Sequence, residues 1–193
     1  MIVPLPDLYD VPWLDLSHAY GPAKDTPHLL QQLASINAQA SEEAIGWLTA
    51  SLDHQGMLCD ATVAALPFVI RIAANSVAVN RAGVIDFLFG VTISANDIIQ
   101  SFAIRYERDP AQAEADRAHA VNTREALLPH VKLFQTWQTD DDPAVVEAAT
   151  HLVDELINAP PPPPPSPPCP KCGKPLRTVK SQQCFLCGAD WHA

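Results

Sequence analysis

From His28 onward the apolar residues of this chain recur every three or four positions, the period of helices that bury one face. Leu29, Leu30, Leu33 and Ile36 form a first stripe. Ala44, Ile45, Trp47, Leu48 and Leu52 form a second, opened by Ser41 as a capping residue with Glu42 and Glu43 in the first turn. Asp60 is placed as the N-cap of a helix over 61–74. A short turn between Asn75 and Asn80 leads to its antiparallel partner over 81–91. Further helices are predicted over 96–105, 111–122 and 125–137. The loop 139–143 starts the last helix, with Pro143 at its first position and Val145, Val146, Ala149, Leu152, Val153, Leu156 and Ile157 on its apolar face. Residues 1–27 are broken up by Pro4, Pro6, Pro12, Pro22 and Pro27, so Trp13, Leu14 and Leu16 are expected to cover the core of the first helices from an irregular segment. Seven glycines, against nineteen prolines, argue against an all-β chain rich in tight turns. The fold class is all-α.

Two segments repeat. Leu66-Pro67, a helix, a turn, then Ala82 and Val84 match Leu128-Pro129, a helix, an acidic turn, then Ala144 and Val146, at a constant offset of 62. Residues 29–52 read as a looser, earlier copy. One helical hairpin cannot bury its own apolar face, so neighbours stack into a solenoid. The stretch Trp47-Leu48, Ser51-Leu52-Asp53-His54-Gln55-Gly56, Asp60-Ala61-Thr62 and Ala65-Leu66-Pro67-Phe68 resembles bacterial HEAT-like helical repeat proteins, with Val146 departing from the arginine often found early in the second helix. The resemblance covers residues 28–157 and implies a short αα solenoid of the immunity-protein type.

Beyond this body, residues 159–168 hold a proline run. Such a run adopts polyproline II at about 3.1 Å per residue, so it reads as a semi-rigid strut of roughly 25–30 Å. The domains are therefore 1–158 (helical repeats), 159–168 (linker) and 169–193. The last stretch carries the sharpest chemical signal in the chain. Cys169-x-x-Cys172-Gly173 and Cys184-x-x-Cys187-Gly188 are separated by eleven residues. Each pair turns two sulfurs inward, and each glycine leaves room for backbone amides near the thiolates. Four thiolates make the closed shell of a structural zinc site with no open catalytic position. The segment resembles a zinc ribbon. A thioredoxin-like redox pair would need a βαβ context that the pattern does not supply.

Charge divides along the same boundary. The chain carries 12 basic and 22 acidic side chains. Residues 166–193 hold Lys171, Lys174, Arg177 and Lys180 against Asp190, a balance of +3, which leaves −13 for residues 1–165. An acidic body favours basic partners over nucleic acid, whereas the ribbon has the sign that nucleic acid attracts. The best uncharged apolar run, 61–74, is interrupted by Pro67 and Arg71 and is short of a membrane span. The start of the chain has no basic n-region, and Cys59 has no nearby partner in sequence. A lone thiol beside a four-cysteine metal site suits a reducing, cytoplasmic setting.

The remaining candidates are weighed against plainer roles. His151 with Asp154 and Glu155 shares a helix face that reads as solvated. Cys59, Phe68, Phe87, Phe89, Phe134, Trp137 and Trp47 read as core. No nucleophile elbow, phosphate loop or dinucleotide fingerprint is present, so the chain is read as a non-enzyme. Its expected work is binding a protein, and the resemblance to immunity-type HEAT-like proteins implies a basic toxin domain as partner, which the acidic charge fits. Asp53, His54 and Asp60 around one loop and Asp140, Asp141 and Asp142 at another are the expected contacts, lined up as an acidic ridge with Trp13 or Leu58 as apolar anchors. The plainer reading of His54-Gln55-Gly56 is a helix C-cap, and that of the three aspartates is a capped helix start. An adaptor that binds nucleic acid or the ribosome through the basic ribbon is the alternative function.

Overall fold

The computed structural model describes residues 3–160, 167–174, 176 and 181–191, without the side chains of residues 103, 104 and 106–108. Most of the predicted proline strut, together with Arg177 and Lys180, lies outside the described residues. The body is built from α1 (Thr26–Leu33), α2 (Ala38–Leu52), α3 (Asp60–Ala73), α4 (Arg81–Arg108), α5 (Pro110–Leu127), α6 (Val131–Trp137) and α7 (Pro143–Asn158). A 3-10 turn, Leu128–His130, separates α5 from α6. Extended structure in the body is confined to two tiny hairpins, β1 (Ser17–His18) with β2 (Gly21–Pro22) and β3 (Asp53–His54) with β4 (Met57–Leu58). The chain is all-α, as its periodicity predicts.

α4 is the central helix and packs against α3, α5 and α7. Its stripe of Val84, Ile85, Leu88, Val91, Ala95 and Ile98 is completely buried. The pattern predicts two helices here, over 81–91 and 96–105; the structure has one, and the polar Thr92, Ser94 and Asn96 lie inside it. Each of these polar side chains finds a partner. Thr92 Oγ1 donates to Leu88 O, Ser94 Oγ to Asp53 Oδ1, and Asn96 Nδ2 to Glu155. With those groups satisfied, the backbone ladder continues unbroken. From Arg81 to Phe102 this helix is apolar and long enough to cross a bilayer by length and composition. Among the described residues it is the one helical stretch that meets this test, rather than 61–74, and its buried face is covered by neighbouring helices.

The matched segments share a helix start but not their helix lengths. Arg81 and Pro143 open α4 and α7 at the same offset of 62. The two matched prolines behave differently. Pro67 rides within an uninterrupted α3, whereas Pro129 sits in the 3-10 turn where α5 gives way to α6. Proline cannot donate a backbone hydrogen bond, and α6 is only seven residues long.

Two caps also differ from expectation. α2 starts at Ala38 because Asn37 Oδ1 accepts from Ala40 N at 3.1 Å. Ser41 lies a turn inside and donates its buried hydroxyl to Leu33 O. Asp60 is the first residue of α3, and Cys59 is its N-cap, with Thr62 Oγ1 accepting from Cys59 N. The N-terminal segment does cover the core through Trp13, whose indole N–H donates to Leu8 O at 2.7 Å and whose ring lies 6.2 Å from that of Phe68. Leu14 is exposed instead.

Candidate metal centre

The two C-terminal cysteine pairs fold as near copies of one another, fifteen residues apart. Gly173 N donates to Cys169 O, and Gly188 N to Cys184 O. Cys169 N donates to Lys174 O, and Cys184 N to Ala189 O. Leu176 N reaches Pro167 O as Trp191 N reaches Gln182 O. Both glycines have positive φ, 72° and 68°, a conformation that side chains resist, so each Cys-x-x-Cys-Gly can close a tight knuckle. Cys169, Leu176 and Cys184 form a small buried cluster with Leu186, Cys187, Ala189 and Trp191 packed against it. No residue of the body's core belongs to it.

All four Sγ atoms lie within 4.8 Å of one another. The edges Cys169–Cys187 and Cys172–Cys184 are both 3.8 Å. A disulfide would need about 2.05 Å. A tetrahedron of thiolates around an ion at about 2.3 Å has edges near 3.8 Å, so the cluster has the size and donor set to hold one metal ion. The thiols also compete for ionisation. Burial pushes Cys169 up, but the backbone N–H groups of Cys172 and Lys171 outweigh it and hold the thiol down at about 7. The backbone N–H of Ala189 favours the Cys187 thiolate, yet burial and the neighbouring sulfurs push that group to about 11. Four adjacent thiolates are stable together only around a cation.

The six expected partner contacts are mostly engaged within the body. Asp53 accepts from Ser94 Oγ at 2.7 Å, and burial raises its pKa despite that bond. His54 Nδ1 donates to Ala50 O at 3.0 Å, the carbonyl-capping role of the plainer reading. His54 also belongs to a two-residue β-turn in which Gln55 (φ 53°) and Gly56 (φ 77°) are both left-handed, as such hairpins require. Asp60 Oδ1 accepts from Ser17 N at 2.8 Å. Asp140 pairs with Arg81, and Asp142 caps α7 through Ala144 N. Asp141 and Asp142 are exposed.

These residues do not line up along one edge. Asp60 begins α3, whereas Arg81, the partner of Asp140, donates from Nε to Ala73 O at the other end of that helix. Fourteen residues of helix, roughly 20 Å, separate the two acidic loops. The proposed anchors Trp13 and Leu58 are buried, 5% and 4% exposed.

Other aromatics take that exposed place. Trp47 is 63% exposed and Tyr20 62%, so Trp47 is not core. Tyr20 follows Ala19, whose N–H donates to Ser51 O one turn beyond Trp47. The Tyr20 ring meets His54 edge-on at 5.3 Å, and its N–H donates to His18 Nδ1 at 3.1 Å. On α2 the side that packs inward carries Ala44, Leu48 and Leu52, which leaves Trp47 on the outer edge of the stripe. No protein-family model, curated protein or solved structure matches this chain.

Proposed function

We propose that this chain is a non-enzymatic binding protein, a HEAT-like body with a structural zinc ribbon, that captures a basic protein. A toxin's catalytic domain, neutralised by occlusion of its substrate groove in the cytoplasm, is the partner class this reading favours. One observation carries it: Trp47 and Tyr20 stand exposed by the C-terminal half of α2, with Met57 exposed on the adjoining hairpin and Glu42 and Glu43 exposed on the same helix. Tryptophan and tyrosine dominate the energetics of protein interfaces, while surrounding charge sets association rate and partner choice. His54 belongs to this patch as the support of Tyr20. The −13 charge of residues 1–165 supplies attraction toward a cationic surface. Asp141 and Asp142, exposed beyond the far end of α3, add a second acidic patch that steers approach. In the ribbon, four cysteine sulfurs at hard-packed tetrahedral spacing suit zinc as the resident ion.

The test is protection. The chain is co-expressed with the toxic product of its neighbouring gene in a sensitive host, as the parent and as Trp47→Ser with Tyr20→Ser. We expect the parent to restore growth and the double variant, folded by circular dichroism, to fail. Equal growth with and without the parent chain would sink the toxin reading, and full protection by the variant would remove the patch from it. A second reading has its own observation. Lys171, Lys174 and Phe185 are exposed on the two knuckles, a basic and aromatic combination suited to single-stranded nucleic acid. Salt-sensitive binding of a labelled oligonucleotide by the full chain would favour it.

A further inference from the structure

α5 presents Arg117, Val121, Arg124 and, at the following turn, Leu128 on one face, spaced at four, three and four residues. α4 faces them with Asn96, Ile99 and Gln100. Ala159 and Pro160, where the chain leaves α7, close the third side, and Gln100 Nε2 donates to Pro160 O at 2.8 Å. The cavity between them measures about 250 Å³. At about 30 Å³ per water-sized unit, that is room for a ligand of roughly eight to ten non-hydrogen atoms.

The chemistry of the wall is unusual for this molecule. Acidic side chains outnumber basic ones by 22 to 12, and Arg81 and Arg105 are each paired with aspartate. Arg117 and Arg124 form no ion pair among the described residues, although exposed Glu125 also lines the cavity. Arg124 Nη2 donates to Leu156 O at 3.1 Å, which fixes the guanidinium in place. Its Nη1 is buried and reaches no acceptor among the described residues. A buried guanidinium N–H without an acceptor is costly, so an acceptor brought to Arg124 would relieve that cost. Arg117 lies exposed two turns earlier, with its guanidinium 5.2 Å from the Phe102 ring. Glu155 does not neutralise the site, because its Oε1 accepts from Asn96 Nδ2 at 2.7 Å.

We propose that this cavity binds a small carboxylate carrying an apolar body, with the carboxylate between the Arg117 and Arg124 guanidinium groups and the apolar part against Ile99, Val121 and Leu128. A carboxylate suits a planar guanidinium donor. The apolar side chains between the arginines favour a ligand with a hydrocarbon portion over a bare anion.

Benzoate is the probe, titrated into the full chain while the methyl signals of Ile99, Val121 and Leu128 are followed by NMR. Saturable shifts at those methyls are expected, with benzyl alcohol giving far smaller ones at equal concentration. Arg124→Gln should weaken benzoate roughly tenfold and Arg117→Gln several-fold, the scale of one charge-assisted hydrogen bond. Because Arg124 also holds Leu156 O, the Arg117 variant at the exposed rim keeps the test open if Arg124→Gln does not fold. The proposal is overturned if benzyl alcohol matches benzoate, if the folded arginine variants bind as the parent does, or if those methyls never shift. Inorganic phosphate competing as strongly as benzoate would overturn the requirement for an apolar body.

Discussion

Arg81 and Asp140, 59 positions apart in sequence, meet at 2.6 Å through Nη1 and Oδ2. The same guanidinium donates from Nε to Ala73 O, the last residue of α3, and lies 5.9 Å from the Trp137 ring centroid. One side chain thus ties the end of α3 and the start of α4 to the loop that leads into α7. The first of the three loop aspartates is a structural group, while the next two face solvent.

The hydrogen bond from Arg81, joined by the backbone N–H of Asp142, holds the Asp140 carboxyl below its ordinary value of 3.8. A group with a depressed folded pKa contributes stability that is complete above the unfolded value and is lost as pH falls through the folded one. Asp140→Asn should therefore melt at a lower temperature than the parent at pH 7, and the difference should close as pH drops below 3.8. Thermal melts of both proteins across that range check it; a constant gap would mean that the ion pair contributes nothing.

Asp53 has the opposite sign. Burial raises its carboxyl above 3.8 in spite of the Ser94 hydroxyl, so its ionisation costs stability as pH rises through the folded pKa. Asparagine keeps an acceptor for Ser94 and carries no charge. Asp53→Asn should therefore be at least as stable as the parent at pH 7 and lose that advantage under acid conditions. A variant clearly less stable at pH 7 would show that the carboxylate's bonds outweigh its burial.

Trp13 and Trp47 should separate cleanly. Trp13, buried on Phe68, should cost about 3–5 kcal/mol when replaced by alanine. Trp47→Ser on the exposed face of α2 should stay within about 0.5 kcal/mol. Urea unfolding of the two variants measures both; comparable losses would place Trp47 in the core after all.

Removing one thiolate should empty the metal site and leave the helices standing. We expect Cys172→Ser and Cys187→Ser each to lose about one equivalent of metal per chain, since a four-thiolate site needs its closed shell to hold an ion. Helical circular dichroism should be unchanged, because the cysteine cluster and the helical core share no buried residue. Metal analysis and a melt read both halves. Collapse of the helical signal would refute the separation.

What was legible in the sequence by itself was whatever depends on local spacing. A 3.6-residue apolar period is a property of one helix, so the number and order of the helical segments could largely be read, as could Pro143 at the start of α7. The cysteine site was legible for the same reason, since two short knuckles carry all four sulfurs and both glycines that need positive φ. The tertiary structure decided where polar groups find partners distant in sequence. The predicted helices 81–91 and 96–105 are one helix, α4, in which Ser94 and Asn96 are met by Asp53 and Glu155 from elsewhere in the chain. Asp60 reads as a cap in the sequence, but Cys59 caps α3 and Asp60 Oδ1 also accepts from Ser17, 43 positions away. Trp47 looked buried because the stripe of α2 is broad, and only the placement of neighbouring helices determines which side of a stripe is covered. In the sequence Arg124 is one of twelve basic side chains with nothing to single it out. Its unsatisfied, buried N–H exists only once α4, α5 and the end of α7 have closed around it, because desolvation is a property of the assembled packing and not of any residue in the list.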